Sequence, residues 1–242
     1  MPWLMEYKYA FVSLKRAPEF LLTTVLTLAL TLSAVLITSS IGSTFLLNSL
    51  PYPDADNLKL LQQDIEIEGT RDVRFQTVKG QIKWYRDQQV FEEHSLIHTG
   101  YEIATSLEGE PRLNVSFVTP DYFSMFGVKI LRGRGFNENE DIDRQAKSLL
   151  ISEKLWREYF GADPQVTEQS IQLGSRQFRI IGVISQEFLE PHLFGGKDSA
   201  LWLPFDAGPQ MEASWESTYA QLKAVGRPKP GVTDQQIATE LE

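Results

Sequence analysis

The stretch RLNVSFVTPDYFSMFGVKILRGRGF, Arg112 to Phe136, decides the fold class. Arg112 to Val118 reads as a strand. Thr119 is placed as the N-cap of a short helix, with Pro120 at its first position, DYFSMF as its body and Gly127 as its stop. VKIL, Val128 to Leu131, is the next strand, and GRGF, Gly133 to Phe136, is a turn. A strand, a very short helix and a strand in quick succession do not keep the regular period of βαβ units. The expected class is therefore α+β, not a doubly wound sheet.

The same mixture continues on both sides. Towards the N-terminus, Glu108-Gly109-Glu110-Pro111 is a turn joining a strand over Ser95 to Leu107. Before it, Thr77 caps a helix, VKGQIKWYRDQQVFEE, whose Val78, Ile82, Tyr85 and Phe91 lie near one face. Asn57 to Ile67 alternates enough to be a strand. Towards the C-terminus, NENEDID is an acidic loop and SLLI a strand, and Ser152 caps a helix EKLWREYF that Gly161 ends. Gly174-Ser175 is a two-residue hairpin signal between SIQL and QFRIIGVI. LWLPF and Tyr219 to Gly226 are further strands, and Thr233 caps a last helix.

Further out, the run from Phe20 to Gly42, FLLTTVLTLALTLSAVLITSSIG, carries no charge and exceeds the ~20 residues a helix needs to cross a bilayer. Lys15 and Arg16 precede it; Asp54, Asp56 and Asp64 follow it. The bias of positive charge places the N-terminus in the cytoplasm and residues beyond about 50 outside. A cleaved signal peptide is the rival reading, but the apolar run is longer than a usual h-region. Thr24, Thr27, Thr31, Ala34 and Thr38 recur at alternating steps of three and four, with Gly42 one turn on. Such a stripe lets another membrane helix approach closely; alternatively, each Thr bonds its own i−4 carbonyl. LPYP, Leu50 to Pro53, ends the span. Residues 1–17, with Trp3, Leu4, Tyr7, Phe11 and Leu14 at helical spacing, read as an amphipathic elbow in the inner interface, in contact with membrane lipid.

Composition agrees with a tethered globular body. Hydrophobic residues make 42% and charged ones 23% of the 242, and a mean hydropathy of -0.22 leaves room for a local span only. The net charge of -9, with residues 1–50 at +1, excludes a basic face for nucleic acid. The absence of cysteine excludes disulfides and thiolate chemistry.

These pieces, taken in order, resemble the MacB-like, FtsX-type ABC transporter permeases. The likeness is carried by the basic elbow and the span ending in SLPYPDADNL, the helix ending in FEE, and EGEPRLNVSFVTPDYFSMFGVKILRGRGFNENED. It continues through LISEKLWREYFGADP, QFRIIGVI, LWLPF and GRPKPGVTDQQIATELE, and so covers nearly the whole chain. Val166-Thr167-Glu168 departs from it, since the family usually has a glycine there. The resemblance implies an elbow over 1–17, a transmembrane helix over 18–48 in the bacterial inner membrane and a periplasmic core domain over 49–242. Within that domain it implies a porter-like lobe from 57–147 and 206–242 and a sabre-like insertion over 148–205. It also implies a permease subunit that pairs as a homodimer or with a second permease, works with a separate ABC ATPase subunit and meets a periplasmic adaptor. Three more transmembrane helices would follow, so this sequence is expected to be an N-terminal fragment or one part of a split permease.

Chemistry in the chain itself is not expected. No G-x-x-x-x-G-K-[ST] occurs, and Gly133-Arg134-Gly135 reads as a strand-ending turn, not an anion cradle. His94 and His98 lack the glutamate of H-E-x-x-H, and His192 is remote. Glu138, Glu140, Asp141 and Asp143 lack the glycine and terminal glutamate of a calcium loop and read as a solvated acidic loop. Ser152 and Ser185 have no base that spacing assigns, which argues against an anchored hydrolase. Trp84, Trp156, Tyr159 and Phe160 read as core. No catalytic residue, metal or cofactor is assigned. The expected function is coupling of cytoplasmic ATP hydrolysis to export or mechanotransmission outside the membrane; the alternative is a stand-alone membrane-anchored binding or sensing module.

Overall fold

The computed structural model describes residues 19, 22–33, 51–61, 63–67, 70–74, 78–142, 144–191, 197–207 and 222–240. The chain divides into two units, Met1–Leu50 and Pro51–Glu242.

In the first unit, residues 22–33 are helical. Leu22, Val25, Leu26, Leu28, Leu30 and Leu32 are all more than half exposed. Thr27 donates its hydroxyl hydrogen to the Thr23 carbonyl at 2.7 Å, and Thr31 to the Thr27 carbonyl at 2.9 Å, so both hydroxyls bond back onto their own helix. Ala34, Thr38, Gly42, the elbow and the rest of the expected span lie outside the described residues. Among the described residues no helix is long and apolar enough to cross a membrane.

The second unit is a mixed α+β body. Its strands are β1 Lys59–Leu61, β2 Gln63–Ile67, β3 Thr70–Arg74, β4 Phe91–Ile103, β5 Arg112–Val118, β6 Ile130–Gly133, β7 Ser148–Ser152, β8 Ser170–Leu173, β9 Arg176–Ile184, β10 Leu201–Pro204 and β11 Leu222–Pro228. Its helices are α1 Val78–Asp87, α2 Tyr122–Met125, α3 Glu153–Phe160 and α4 Asp234–Glu240. Nine strands form one sheet in the order β1-β11-β4-β5-β10-β7-β9-β6, with β8 also on β9; β2 and β3 form a separate hairpin. Among the described strands, β10 with β5 and β7 with β9 run parallel and the other pairs antiparallel. Both sheet faces carry a buried apolar cluster. Leu149, Ile151, Ile171, Ile180 and Leu201 pack on one side under α3. On the other side Leu150, Trp202 and Val225 meet Tyr122, Met125 and Phe126 of the α2 turn.

Several expected elements stand as read, including β5, the β8–β9 hairpin over Gly174 and α3. There Ser152 Oγ accepts from the Leu155 amide at 3.2 Å and Gly161 closes the helix with a positive φ. Thr233 Oγ1 likewise accepts from the Gln236 amide at 3.3 Å in front of α4.

Others are corrected. The first helix of the body stops at Asp87, not at Glu93, because Phe91 is drawn into the core and begins β4. Gln88 Oε1 receives the Phe91 amide at 2.9 Å in the intervening turn. Thr119 does not cap α2: its hydroxyl accepts from the Leu96 amide at 3.1 Å and donates to Ser95 Oγ at 3.0 Å, stapling β5 to β4. The strand expected over Val128 to Leu131 is shifted to Ile130–Gly133, so Gly133 belongs to the strand. Tyr159 is exposed, not core, whereas Trp84 and Trp156 are buried. Thr77 and Tyr219 lie outside the described residues.

Candidate functional site

Residues 51–61 follow directly on the apolar N-terminal stretch, and several of their side chains are fastened to the sheet and the α2 turn. Tyr52 lays its ring edge-on against Phe126, with centroids 5.1 Å apart, and donates its hydroxyl hydrogen to the Leu189 carbonyl at 2.9 Å. Partial burial, helped by the negative charge of Glu190, pushes that phenol above its ordinary pKa. Pro53 presses on Gly127, where an added Cβ would approach the proline ring to 2.8 Å and where φ is +61°. Asp54 turns the chain through the left-handed region at φ 46° and receives the Asn57 side-chain amide at 2.9 Å. Leu58 then packs on the Tyr122–Trp202 cluster. β1 closes the strap by pairing antiparallel with β11, Lys59 opposite Gly226.

Arg227, the next residue on β11, holds this strap. Its guanidinium is largely buried. It donates to the Pro53 carbonyl at 2.7 Å and the Met125 carbonyl at 3.1 Å, pairs with the Glu93 carboxylate on β4 and lies 3.8 Å from Asp54. The planar fork can satisfy backbone and carboxylate together, which an ammonium could not do with the same geometry. One side chain thus joins the strap, β4, α2 and β11. Because β1 and β11 are antiparallel neighbours, residues 51–58 and 229–240 lie at the same end of the sheet. The stretch GRPKPG carries the family likeness through Arg227 but assigns it no role; the register that sets β11 between β1 and β4 gives it these partners.

A second fastening lies in the loop after β9. Glu190 Oε1 accepts from Ser116 Oγ at 2.6 Å and Ser199 Oγ at 3.0 Å, and Oε2 from the Ser199 amide at 2.6 Å. Tyr122, fully buried, points its hydroxyl at the same carboxylate at 3.5 Å.

The residues weighed for chemistry are scattered into structural roles. His94 and His98 stand on β4, not on a helix. His94 shares a 2.8 Å hydrogen bond with the Tyr85 carbonyl, and His98 stacks on Phe117; His192 and Asp143 lie outside the described residues. Glu140 corrects the picture of a wholly solvated acidic loop. It is buried, receives both terminal nitrogens of Arg134 at 2.8 and 2.9 Å and the Asn137 amide at 3.0 Å, and caps its own 3-10 turn. Burial raises its pKa, but these donors outweigh burial and hold the carboxyl below its ordinary value. Ser152 is a helix cap, and Ser185 Oγ accepts from the Glu187 amide at 3.1 Å. Among the described residues no group of three histidines or carboxylates is placed to hold a metal ion. Gly133 is pressed on the Ile181 carbonyl, with an added Cβ only 2.0 Å from that oxygen.

Comparison with known proteins gives the same fold. The periplasmic region of MacB from Actinobacillus actinomycetemcomitans superposes with a TM-score of 0.53 at 16% identity, covering 76% of this chain and 80% of that one. A domain of a permease protein from Porphyromonas gingivalis superposes with a TM-score of 0.52 at 18% identity, covering 77% of this chain and 78% of the other. In sequence, the ABC transporter permease YvrN of Bacillus subtilis is 29% identical over 118 residues, which cover 46% of this chain and 28% of YvrN. The macrolide export ATP-binding/permease protein MacB of Shigella dysenteriae is 26% identical over 122 residues, which cover 50% of this chain and 17% of that protein. The matched region is thus under a third of the length of either relative. A model of the MacB-like periplasmic core domain matches residues 21–242, and the chain belongs to that family.

Proposed function

We propose that this chain is the N-terminal part of a permease subunit of an ABC-type exporter or mechanotransmission complex in the bacterial inner membrane. Residues 18–48 cross the membrane with the N-terminus in the cytoplasm, and residues 49–242 work in the periplasm. An ABC ATPase subunit supplies the motion, a homodimer or a second permease completes the membrane bundle, and a periplasmic adaptor receives the stroke. The stripe of Thr24, Thr27, Thr31, Ala34, Thr38 and Gly42 packs that bundle through its small side chains, the hydroxyls of Thr27 and Thr31 being already bonded within the helix.

The observation that carries this reading is the strap. A segment that merely tethers a domain needs no internal fastening, whereas residues 51–61 are held by Tyr52, by the Arg227 clasp and by a strand pairing. A displacement at residue 51 is therefore delivered to β4 and β11 instead of being absorbed in slack chain. β4 spans about 40 Å at its 13 residues. In the lobe division we propose, β1–β6 and β11 form the porter-like part (57–147 and 206–242) and β7–β10 the sabre-like insertion (148–205); the β5–β10 and β6–β9 pairings join the two.

The test is affinity purification from native membranes with the reading frame in its genomic context. Co-purification of an ATPase subunit whose hydrolysis rate changes when Arg227 is replaced by alanine is the expected result. Recovery without any ATPase, from a frame with no further apolar spans, favours the stand-alone sensing module.

A further inference from the structure

At the end of the sheet away from residue 51, one face of β4 and β5 lies open. Lys59, Gly226 and His94 form one row across β1, β11 and β4, and Ile103 lies about 30 Å farther up β4. An antiparallel strand that meets water on one side is expected to turn polar residues to it. On this face of β4 Ile97 is buried, but Tyr101 and Ile103 farther along are 53% and 46% exposed. The register sets Asn114 opposite Tyr101 and Arg112 opposite Ile103. The Arg112 guanidinium carbon stands 3.4 Å from the centre of the Tyr101 ring, a stacking that fixes the planar fork without using its N–H groups.

Asn114 carries this patch into a groove. Its side-chain amide donates to the Asp198 carbonyl at 3.3 Å, and its own carbonyl accepts from the Ala200 amide at 2.9 Å. The residues before β10 therefore run beside β5 and bring Lys197 to the same place. Two adjoining cavities of about 460 and 680 Å³ share Asn114, Glu190, Lys197 and Ser199 in their walls, with Tyr101 bordering the first and Arg112 the second. Together they reach past the usual size of a small-molecule site. The charges of the walls pair off unevenly. Glu153 holds Arg157 at 2.7 Å, and Glu158 faces Lys154 at 3.9 Å. Glu190 is taken up by Ser116 and Ser199, and Asp198 and Lys223 are engaged as well. Arg112 and Lys197 are left without a carboxylate among the described residues, on a chain whose net charge is -9.

We propose that this groove takes an acidic polypeptide segment of a partner protein, its carboxylates on Arg112 and Lys197 and an apolar side chain on Tyr101 and Ile103. Tyrosine and arginine are among the residues that most often anchor protein interfaces, and two unmatched cations on an otherwise acidic body select an acidic guest. A lipid surface reached through residue 51 would meet the other end of the sheet. The inference stands on this face alone and holds whether or not residues 18–48 cross a membrane.

The probe is a phage library of short random peptides, panned on the full chain in phosphatidylcholine nanodiscs with empty nanodiscs as the counter-selection. Enriched peptides should be rich in aspartate and glutamate around an aliphatic or aromatic residue. A fluorescent copy of the leading peptide should bind about tenfold or more weakly to Arg112→Glu/Lys197→Glu, and more weakly to Tyr101→Ala. Lys79→Glu/Lys83→Glu, the same change of charge placed on α1, should leave its affinity unchanged. Enrichment of neutral or basic peptides, no enrichment at all, or equal affinity for the wild-type chain and the groove variant overturns the proposal. Capture of phosphatidylglycerol vesicles in place of peptides, or self-association of the chain that the groove variant abolishes, also overturns it and assigns the groove to lipid or to a second copy.

Discussion

Glu140 shows how far one residue can depart from the character of its neighbours. It sits in NENEDID, yet its carboxylate turns inward to meet Arg134, Asn137 and Ser148. Replacing it with alanine strands those donors and should cost about 2 kcal/mol of stability, read as a fall in the denaturant midpoint of the full chain. Its folded pKa lies below the unfolded value of about 4.3. Its contribution is therefore complete above that unfolded value and fades as pH falls through the folded one. Glu140→Gln should accordingly flatten the acid limb of the stability curve below about pH 5; an unchanged limb removes Glu140 from the account. Gly133 makes the opposite kind of demand. With φ at +69° and the Ile181 carbonyl against its α-carbon, Gly133→Ala must separate β6 from β9. A loss of about 3 kcal/mol or more is expected, visible as a clear drop in the thermal midpoint, whereas Gly174→Ala has open space around it and should cost less.

At the scale of elements, pairing decided what propensity left open. The helix pattern of VKGQIKWYRDQQVFEE is amphipathic through Phe91, but Phe91 opposite Pro228 buys a full strand, β4, in place of a last helical turn. The strap shows the same effect. Its Asp-Asn turn is local, since Asp54 tolerates the left-handed region, but its fastening is not, since Arg227 lies 174 positions away from Pro53. Arg227→Ala leaves Glu93 with its charge partly buried and unpaired. It should raise amide exchange across residues 52–58 by tenfold or more while β7 and β9 stay protected, measured by hydrogen–deuterium exchange on the full chain in detergent. Uniform protection after the substitution, or global loss, speaks against a local clasp. Arg227→Lys should restore only part of the protection, because an ammonium cannot bridge both carbonyls and the carboxylate.

For the whole molecule, the nine-stranded sheet holds strands far apart in sequence in one frame. The parallel pairing of β10 with β5 links the residues before Pro120 to those after Ser199. The membrane reading makes its own prediction at this scale: the chain should stay in the pellet after alkaline washing of membranes and leave it only with detergent. Release by alkali overturns a span over residues 18–48. The sequence by itself determined what local chemistry determines. Glycine and serine positions set the β8–β9 turn and both ends of α3, an uncharged run set off the first fifty residues, and motifs in order carried the family. The α+β class followed from spacing alone. Only the tertiary structure decided the end of α1, the staple role of Thr119, the burial of Glu140 and the Arg227 clasp. Each of these depends on which strand lies beside which. That order is set by long-range burial and backbone pairing, to which a short window of sequence is blind.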